Sequence, residues 1–457
     1  DATQFKNLPI GQMEEKFADY GEVQIKQLND RSKMYYTPNK ENNVFQLVVQ
    51  YGAGEREFPK LGYAAQLMNN AGIMGAYEPQ ELKEELSKLN ATCHVTADDD
   101  NLYIIMEGYE ATLPQACQLL SRQILMPKLD EKQLARLKGS AMGMRQQRKD
   151  NVSILNEALR QYMLYGEKSD YIKELTDKEI YELQISELTG DINRASNYEA
   201  KVFFTGTLPF DQVYDILSKN LPLVANERPS NSPQAKDMMP VTENTVYFLP
   251  NNDAEQAQIH LYIPMQKADK KDDVLRSAFN QYFGLDFTGI VLNEIREKRS
   301  MAYTAYAFVG TQGIAGKASY LRGYIGTQND KANDALDVLM GLVNDMPKNP
   351  ERIDNIKSYL RQAMLTSHPS FRNKAMELVD LGYRGYTDDP AKENLPKVDA
   401  LTFDDIVKFY EENIKDKPYC ISIMGNPKNI DLKRLEKFGK VVKLNERKLF
   451  NTKDALF

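Results

Sequence analysis

The chain has 457 residues, of which 42% are hydrophobic and 10% aromatic. This length and composition allow two or more domains with sizeable cores, and they argue against a disordered protein. The net charge of −7 is spread along the chain. It argues against nucleic acid as the main partner, because phosphate binding needs clustered Lys and Arg.

Targeting and redox features are sparse. No apolar run approaches the roughly 20 residues that span a bilayer. The chain begins at Asp1 rather than Met, so we expect a processed product or a fragment whose targeting sequence is absent. Cys93, Cys117 and Cys420 form no CxxC and are odd in number, so neither a disulfide framework nor a zinc ribbon is indicated.

The first half of the chain mixes strands and helices. Strands are predicted at residues 44–51, 101–107 and 201–206. Helices are predicted at residues 60–72, 79–90 and 111–126, and after the Met-Pro-Lys at 126–128. Runs of helices between strands, without regular alternation, are typical of an α+β domain with an antiparallel-dominated sheet.

The same order recurs in the second half. Residues 111–126 and 332–346 are amphipathic helices that both run into Met-Pro-Lys, and the two motifs lie 220 residues apart. Residues 201–206 and 419–425 are apolar strands that both end in glycine, with an offset of 219 residues. Because the register is preserved over most of a domain, the sequence predicts two structurally similar halves.

A linker separates these halves. Residues 226–240 are rich in Pro, Ser and Asn and have no apolar period. We therefore predict two homologous α+β domains, at residues 1–228 and 241–457, with a linker at 229–240. Each domain is expected to be an antiparallel-dominated mixed sheet packed with helices.

One segment resembles the surroundings of a metal-binding motif but lacks the motif's metal ligands. It reads GAGERE at residues 52–57 and GYAAQLMNN at residues 62–70. It resembles the surroundings of H-x-x-E-H in the pitrilysin/insulinase family of metallopeptidases, the inverted zincins, where two His bind zinc and the Glu is the general base. Ala65 and Asn69 stand at the His positions and Met68 at the Glu position. The resemblance implies a degenerate zinc site and a LuxS/metallohydrolase-like architecture.

The family's further Glu ligand is missing as well. It falls on the helix after Pro127, where no acidic residue occurs between Glu131 and Asp150 and where Gly143–Gln146 hold the equivalent positions. Three ligand positions and the general base are therefore absent together. The resemblance implies no zinc in this chain and a zinc ion in a partner half.

The three histidines do not replace the lost ligands. His260 lies in an apolar strand and His368 precedes a proline, and neither has a second ligand three or four positions away. His94 has Cys93 beside it and three aspartates at 98–100 nearby, which is a conceivable cation cluster. A solvated acidic turn is the simpler interpretation, and no metal site is predicted.

The most specific resemblance lies at residues 283–310, FGLDFTGIVLNEIREKRSMAYTAYAFVG. It is similar to the family segment L-G-x-x-x-S-R-L-x-x-x-I-R-E-x-x-G-L-A-Y. Residues 290–298 are predicted to be a helix and residues 303–309 a strand.

The Arg and Tyr of that segment are Arg296 and Tyr303. In active relatives they reach across a cavity to the zinc-bound substrate, where a guanidinium and a phenol O–H stabilise negative charge on the tetrahedral intermediate. The alternative is that Arg296 only pairs with Glu294 or Asp286 and that Tyr303 is an ordinary strand aromatic. Ser300 departs from the family, which has Gly there, so the turn before Tyr303 is expected to differ.

A peptide-contacting edge is implied at His94, Val95, Thr96 and Ala97. In relatives the matching strand receives substrate by strand addition, which uses mainly main-chain hydrogen bonds. Main-chain recognition tolerates changes of side chain, so this role can outlive the loss of zinc.

The resemblance implies a non-catalytic half of a zinc metalloendopeptidase. Such a chain closes a peptide chamber and supplies Arg296 and Tyr303 to the zinc site of an H-x-x-E-H partner, as a heterodimer or as part of one longer chain. Peptide is the expected substrate, and this chain alone is expected to be inactive. A scaffolding subunit and a peptide-binding module are the alternatives. By analogy with exported relatives, the periplasm is the suspected location.

Overall fold

Two six-stranded sheets organise the part of the chain that the computed structural model describes, residues 14–285 and 287–455. The strands are β1 (Gln24–Gln27), β2 (Lys33–Pro38), β3 (Val44–Tyr51), β4 (Gly72–Ile73), β5 (Ala91–Ala97), β6 (Leu102–Tyr109), β7 (Pro127–Lys128), β8 (Ala200–Gly206), β9 (Thr245–Pro250), β10 (Gln256–Lys267), β11 (Thr304–Thr311), β12 (Ala318–Gln328), β13 (Cys420–Gly425) and β14 (Lys440–Lys443). Strands β4 and β7 form a separate two-stranded ladder.

Helices pack against both sheets. They are α1 (Leu61–Met68), α2 (Pro79–Lys88), α3 (Leu113–Leu125), α4 (Glu131–Gln146), α5 (Val152–Tyr165), α6 (Asp170–Lys173), α7 (Asp177–Tyr181), α8 (Ile185–Ala195), α9 (Phe210–Asn220), α10 (Asp273–Phe283), α11 (Ile290–Leu292), α12 (Ala332–Asn344), α13 (Ile353–Thr366), α14 (Lys374–Tyr383), α15 (Pro390–Ala400), α16 (Phe403–Asn413) and α17 (Leu432–Leu435). In the described ranges, no helix is long and apolar enough to cross a bilayer.

The two sheets correspond strand for strand. The first has the order β1-β2-β8-β3-β6-β5, and the second, read from its other end, has β14-β9-β13-β10-β12-β11. The pairs β2–β8 and β9–β13 are parallel, and each sheet continues through antiparallel neighbours to an edge at β5 or β11. The outermost pairs differ, since β1 is antiparallel to β2 and β14 is parallel to β9. The predicted α+β fold with antiparallel-dominated mixed sheets is confirmed.

The apolar periodicity of the sequence explains the two main cores. Leu47, Val49 and Tyr51 of β3 are buried, and they pack with α1, α3 and α8 on one face of the first sheet. Ile259 and Leu261 of β10 pack in the same way with α10, α12 and α16 on the second sheet. The Met-Pro-Lys motifs follow α3 and α12, as the internal repeat requires.

Each half contributes one helix that packs on the sheet of the other half. Helix α5 belongs to the first half, but its Leu155 and Leu159 pack on Leu249 and Met424 of the second sheet. Helix α14 belongs to the second half and covers β2, β3 and β8 of the first sheet, where Ala375 packs among buried side chains. Each half therefore needs the other to cover its sheet.

The predicted linker, 229–240, forms no helix or strand and is hydrogen-bonded to both halves. Asn231 N–H donates to the carbonyl oxygen of Gly52 at 2.9 Å. Lys236 N–H donates to Gln312 Oε1 at 2.7 Å, and Gln312 Nε2 donates back to the Lys236 carbonyl oxygen at 3.0 Å. The domain boundaries stay a prediction, and residues 1–13 and 456–457 of the predicted domains lie outside the described residues.

Candidate functional site

The helix that resembles the zinc-binding helix is part of the hydrophobic core. It is α1, which ends at Met68 and not at the predicted residue 72, because the chain turns there to reach β4. Ala65 and Met68 are each 1% exposed and pack against apolar neighbours. Within the described residues, no three His, Cys, Asp or Glu side chains are grouped so as to hold a metal ion.

Asn69, at the second His position, binds the neighbouring strand. Its Nδ2 donates to the carbonyl oxygen of Val95 at 2.9 Å, and its Oδ1 accepts the Val95 N–H at 2.8 Å. The same Nδ2 also lies 3.2 Å from the Ala65 carbonyl oxygen. A side chain at a ligand position thus satisfies main-chain groups of β5.

The predicted peptide-contacting residues lie on β5, which is the edge of the first sheet. Thr92, His94 and Thr96 are exposed, whereas Val95 is buried and Ala97 is half-buried on the helix side. The strand begins at Ala91, so the edge is longer than the four residues that the sequence indicated. The peptide contact itself stays a prediction.

A cavity of about 480 Å³ lies where α1, α2 and β5 meet. Its lining includes the apolar side chains of Met68, Leu82 and Leu86, and Cys93 of the edge strand. Burial raises the pKa of the Cys93 thiol to about 12, so this cysteine is an inert wall residue at neutral pH. This cavity was not predicted from the sequence, because its walls come from elements that are separate in the chain.

The acidic turn beside His94 is held by its own neighbours. Asp98 Oδ2 accepts the Tyr103 O–H at 3.0 Å, and Asp100 Oδ1 lies 3.0 Å from Arg56 Nε. Burial raises the pKa of Asp100, and hydrogen bonding to Arg56 partly opposes that rise. These contacts favour the structural interpretation of the turn over a cation cluster.

Arg296 and Tyr303 line one cleft of about 380 Å³, together with Ser300, Gln328 and Lys331. The Arg296 side chain is 45% exposed, and Tyr303 is 52% exposed. Tyr303 Oη accepts a hydrogen bond from Gln328 Nε2 at 3.3 Å. Two donors suited to an oxyanion or a peptide carbonyl therefore face solvent in the same place.

The Arg296 side chain has one long ion-pair contact among the described residues. Its Nε lies 3.5 Å from Glu297 Oε1, and both side chains are exposed. Glu294, a partner considered from the sequence, pairs instead with Lys298 and Arg299. Asp286, the other partner considered, lies outside the described residues.

Local backbone geometry sets the position of Arg296. The predicted helix begins as α11 and continues over Asn293–Glu297 as a π-helix, a form found frequently at functional sites. Ser300 then adopts φ +50°, the left-handed conformation that glycine favours. Tyr303 N–H donates to the carbonyl oxygen of Gly326 at 2.8 Å, immediately before β11 begins.

A second, larger cavity of about 620 Å³ carries an unusual carboxyl group that sequence reasoning did not single out. Burial, with Asp99, Asp98 and Asp170 nearby, raises the pKa of Glu55 to about 7. The carboxylate packs on Gly62 of α1, where an added Cβ would come within 2.5 Å of Glu55 Oε1. The sequence signal was the GAGERE segment at residues 52–57, but the burial of Glu55 could not be read from it, because the carboxylate lies against Gly62 of α1.

The described part of the chain thus has two similar α+β halves, and the helix α1 of the first half is buried and offers no metal ligands at Ala65 and Met68. Residues 196–360 match the family model described as the peptidase M16 inactive domain. This match supports a non-catalytic member of the M16 peptidase family, in agreement with the resemblance to pitrilysin/insulinase peptidases. Among curated proteins, none matches the chain.

Solved structures share this fold. A peptidase M16 inactive domain from Pseudomonas fluorescens is 17% identical with a TM-score of 0.69, over 90% of this chain and 99% of that one. A protease from Helicobacter pylori is 14% identical with a TM-score of 0.65, over 88% and 99%. The periplasmic protease PqqL from Escherichia coli is 13% identical with a TM-score of 0.66, over 88% of this chain and 46% of that one.

Proposed function

We propose that this chain serves as the non-catalytic half of a zinc endopeptidase, closing its peptide chamber and supplying Arg296 and Tyr303 to a zinc site in a partner half. The observation that carries the proposal is the shared cleft, in which a guanidinium and a phenol are exposed and have no strong ion-pair partner among the described residues. A purely structural arginine would be expected to pair with Glu294, which binds two other cations instead.

The chemistry assigns each residue a task. Peptide hydrolysis at a zinc site develops negative charge on the former carbonyl oxygen, and positioned donors stabilise that charge. The Tyr303 O–H suits this oxygen, and the Arg296 guanidinium suits a neighbouring peptide carbonyl or the same oxygen. The metal and the general base belong to the partner, because Ala65 and Met68 offer neither.

The partner is a zinc-bearing H-x-x-E-H half of the same family. Relatives provide both arrangements, a fused and a separate half: this fold covers 46% of the PqqL chain, whereas it covers 99% of the Pseudomonas and Helicobacter chains. The predicted peptide contact by His94, Val95, Thr96 and Ala97 belongs to the same proposal; because Asn69 binds the main-chain groups of Val95, a peptide must displace the Asn69 side chain to pair there.

The test is the peptidase activity of the native assembly, purified through a tag on this chain and assayed with quenched fluorescent peptides. Arg296→Ala and Tyr303→Phe are each expected to lower kcat about 10²-fold, which is typical for removal of one transition-state donor. A zinc chelator should abolish the activity, and the isolated chain should have none.

Matched controls separate this role from loss of structure. Arg299→Ala removes a cation from the same turn that pairs with Glu294, and Tyr359→Phe changes a tyrosine of similar exposure on α13. Both are expected to leave kcat within about twofold. Equal activity of all four variants would contradict the proposal and favour a scaffolding subunit.

A further inference from the structure

A further cavity, of about 440 Å³, is lined by residues of both halves. Its floor is the face of the first sheet opposite the main helical core, where Phe203 of β8 lies beside α14. Linker residues 232–234 and the turn at 312–314, which joins β11 to β12, complete the wall. The volume is that of an ordinary small-ligand site, and the cavity exists only where the two halves meet.

Three side chains in the lining have oxygen atoms without a hydrogen-bond partner among the described residues. Asn101 is 6% exposed, and its Oδ1 is buried and unpaired, whereas its Nδ2 is 3.2 Å from the Tyr103 Oη. The Oη of Tyr383 is also buried and unpaired. Asp380, one turn earlier on α14, has no ion-pair or hydrogen-bond partner within the same residues. Buried acceptors without donors are costly, so this wall is suited to a ligand that brings donors.

The lining carries an excess of negative charge. Asp98 and Asp100 belong to it as well as Asp380, and Arg384 is the one basic side chain among the lining residues of this cavity. The Arg384 guanidinium lies 3.3 Å from Asp273, so it is already paired. Asp98 and Asp100 are held by the neighbours described above, and they add negative potential more than open acceptors. The ligand is therefore expected to be a cation.

The side chains around these oxygens suit an organic cation better than a metal ion. Within the described ranges, no three His, Cys, Asp or Glu side chains are grouped so as to hold a metal. Phe203, Met376 and Val379 give the cavity apolar surface, and Tyr383 adds an aromatic ring. Lys201 already uses that ring, since its Nζ lies 5.9 Å from the ring centre. A flat guanidinium on an apolar stem matches both kinds of surface.

We propose that this cavity binds the guanidinium side chain of arginine, with Asp380 as its counter-ion and the free oxygens of Asn101 and Tyr383 as further acceptors. A guanidinium carries five N–H donors in one plane, so it can serve a carboxylate and two neutral oxygens at once. The apolar stem would pack on Met376 and Val379. The site requires neither zinc nor a partner half, so it stands or falls independently of the proposed endopeptidase role.

The test titrates the isolated full chain by isothermal titration calorimetry with a capped arginine, Nα-acetyl-arginine amide. The reference is Nα-acetyl-citrulline amide, in which a neutral urea of the same shape replaces the guanidinium. The arginine compound is expected to bind at least about tenfold more tightly, and its Kd is expected to rise with salt concentration, because salt screens the charge pair. Equal Kd values for the two compounds would overturn the proposal.

The arginine side chain has two possible sources, and a pentapeptide of serine with one central arginine distinguishes them. A lower Kd for the pentapeptide than for the capped residue assigns the site to arginine within a peptide, and equal values assign it to the side chain alone. Both results support the cation site. Excess calcium chloride at matched ionic strength is not expected to compete, and displacement of the arginine compound by calcium would refute the choice of an organic cation.

Substitutions in the wall locate the bound group. Asp380→Asn removes the counter-ion and is expected to weaken binding of the arginine compound at least about tenfold. Tyr383→Phe keeps the ring but removes the phenol oxygen, and it is expected to weaken binding about threefold. Asp215→Asn, at an exposed aspartate within α9 and outside the cavity, should leave the Kd within about twofold. If Asp380→Asn behaves like Asp215→Asn, the assigned counter-ion is wrong and the proposal fails.

Lys201 allows a test that loss of structure cannot imitate. Burial and the charge of Glu377 raise the pKa of Asp380, and the charge of Lys201 opposes that rise, so this lysine competes with a bound cation. Lys201→Gln is therefore expected to tighten binding of the arginine compound about three- to tenfold. Lys219→Gln makes the same change at an exposed position on α9 and should have no effect. Binding that is unchanged or weaker in Lys201→Gln would overturn the proposal.

Discussion

The main-chain N–H of Ser300 donates to the carbonyl oxygen of Arg296 at 2.8 Å and so closes the turn that separates Arg296 from Tyr303. The next N–H, that of Met301, donates to the Ile295 carbonyl oxygen at 2.9 Å. The arrangement resembles a Schellman C-cap lengthened by one residue, because the π-helix inserts that residue. The cleft thus depends on a serine in a conformation that favours glycine.

Ser300→Gly is expected to stabilise the protein. A non-glycine residue in the left-handed region costs roughly 1–3 kcal/mol, and the greater entropy of glycine in the unfolded chain returns part of the gain. We expect a net increase of about 0.5–1 kcal/mol in the free energy of unfolding, measured by urea denaturation. Ser367→Gly, at φ −83° on an exposed helix end, is the control and should be neutral or destabilising. A lower stability for Ser300→Gly would contradict the assigned strain.

Zinc content tests the degenerate helix directly. The purified chain, dialysed against trace zinc, is expected to hold well under one equivalent by elemental analysis, because Ala65 and Met68 carry no metal ligand. Stoichiometric zinc would mean that a different set of residues binds it, and His94→Ala would be the first variant to compare. The proposal of a zinc-bearing partner would then lose its basis.

Glu55 is expected to make stability fall as pH rises. Its pKa is raised in the folded protein from 4.5 to about 7, so between these values the folded state holds a proton that the unfolded state has lost. Folding is therefore disfavoured progressively from about pH 4.5 to pH 7 and remains so above pH 7. Glu55→Gln should remove this decline, measured as the urea midpoint at pH 4.5 and pH 8. Glu57→Gln, an exposed neighbour, should not.

His260 is expected to have the opposite effect from Glu55, so that stability falls as pH falls. Burial beside Arg322 and Arg160 lowers its pKa from 6.5 to about 3, and its Nε2 lies 2.8 Å from Asn156 Oδ1 of α5. Below pH 6.5 the unfolded state takes up a proton that the folded state refuses, so stability falls as pH falls, by about 2 kcal/mol at pH 5. His260→Gln keeps a donor for Asn156 and should reduce this acid sensitivity. The exposed His368→Gln should leave it unchanged, and equal sensitivity of the two variants would contradict the assignment.

The repeat and the fold class could be predicted from the sequence because both depend on local patterns. Apolar periodicity marks helices and strands, and the paired Met-Pro-Lys motifs mark the duplication. That residues 65, 68 and 69 hold no His or Glu could be read directly, since it concerns only which residues occupy those positions; the loss of a zinc site there stays a prediction. Arg296 and Tyr303 could be paired because a short turn joins them in the chain.

Features that depend on distant segments could not be predicted. Asn69 was identified only as a poor ligand, and its bonds to Val95 require knowledge that α1 ends beside the sheet edge. The raised pKa of Glu55 depends on burial, with its carboxylate against α1, and on aspartates from other segments of the chain. Likewise, the apolar face of α5 predicts that the helix packs on something but does not say which sheet it covers.

The exchange of α5 and α14 predicts that neither half is stable alone. A fragment ending at residue 228 leaves Leu155 and Leu159 exposed and loses the cover that Ala375 helps to provide on its own sheet. Separately expressed halves are therefore expected to bind 8-anilinonaphthalene-1-sulfonate strongly and to aggregate, whereas co-expressed halves should form a one-to-one complex in size-exclusion chromatography. The control is the intact chain cut at a protease site introduced in the linker, which should stay associated. Monomeric halves that unfold cooperatively on their own would contradict the prediction, because exposed apolar faces of this kind oppose independent folding.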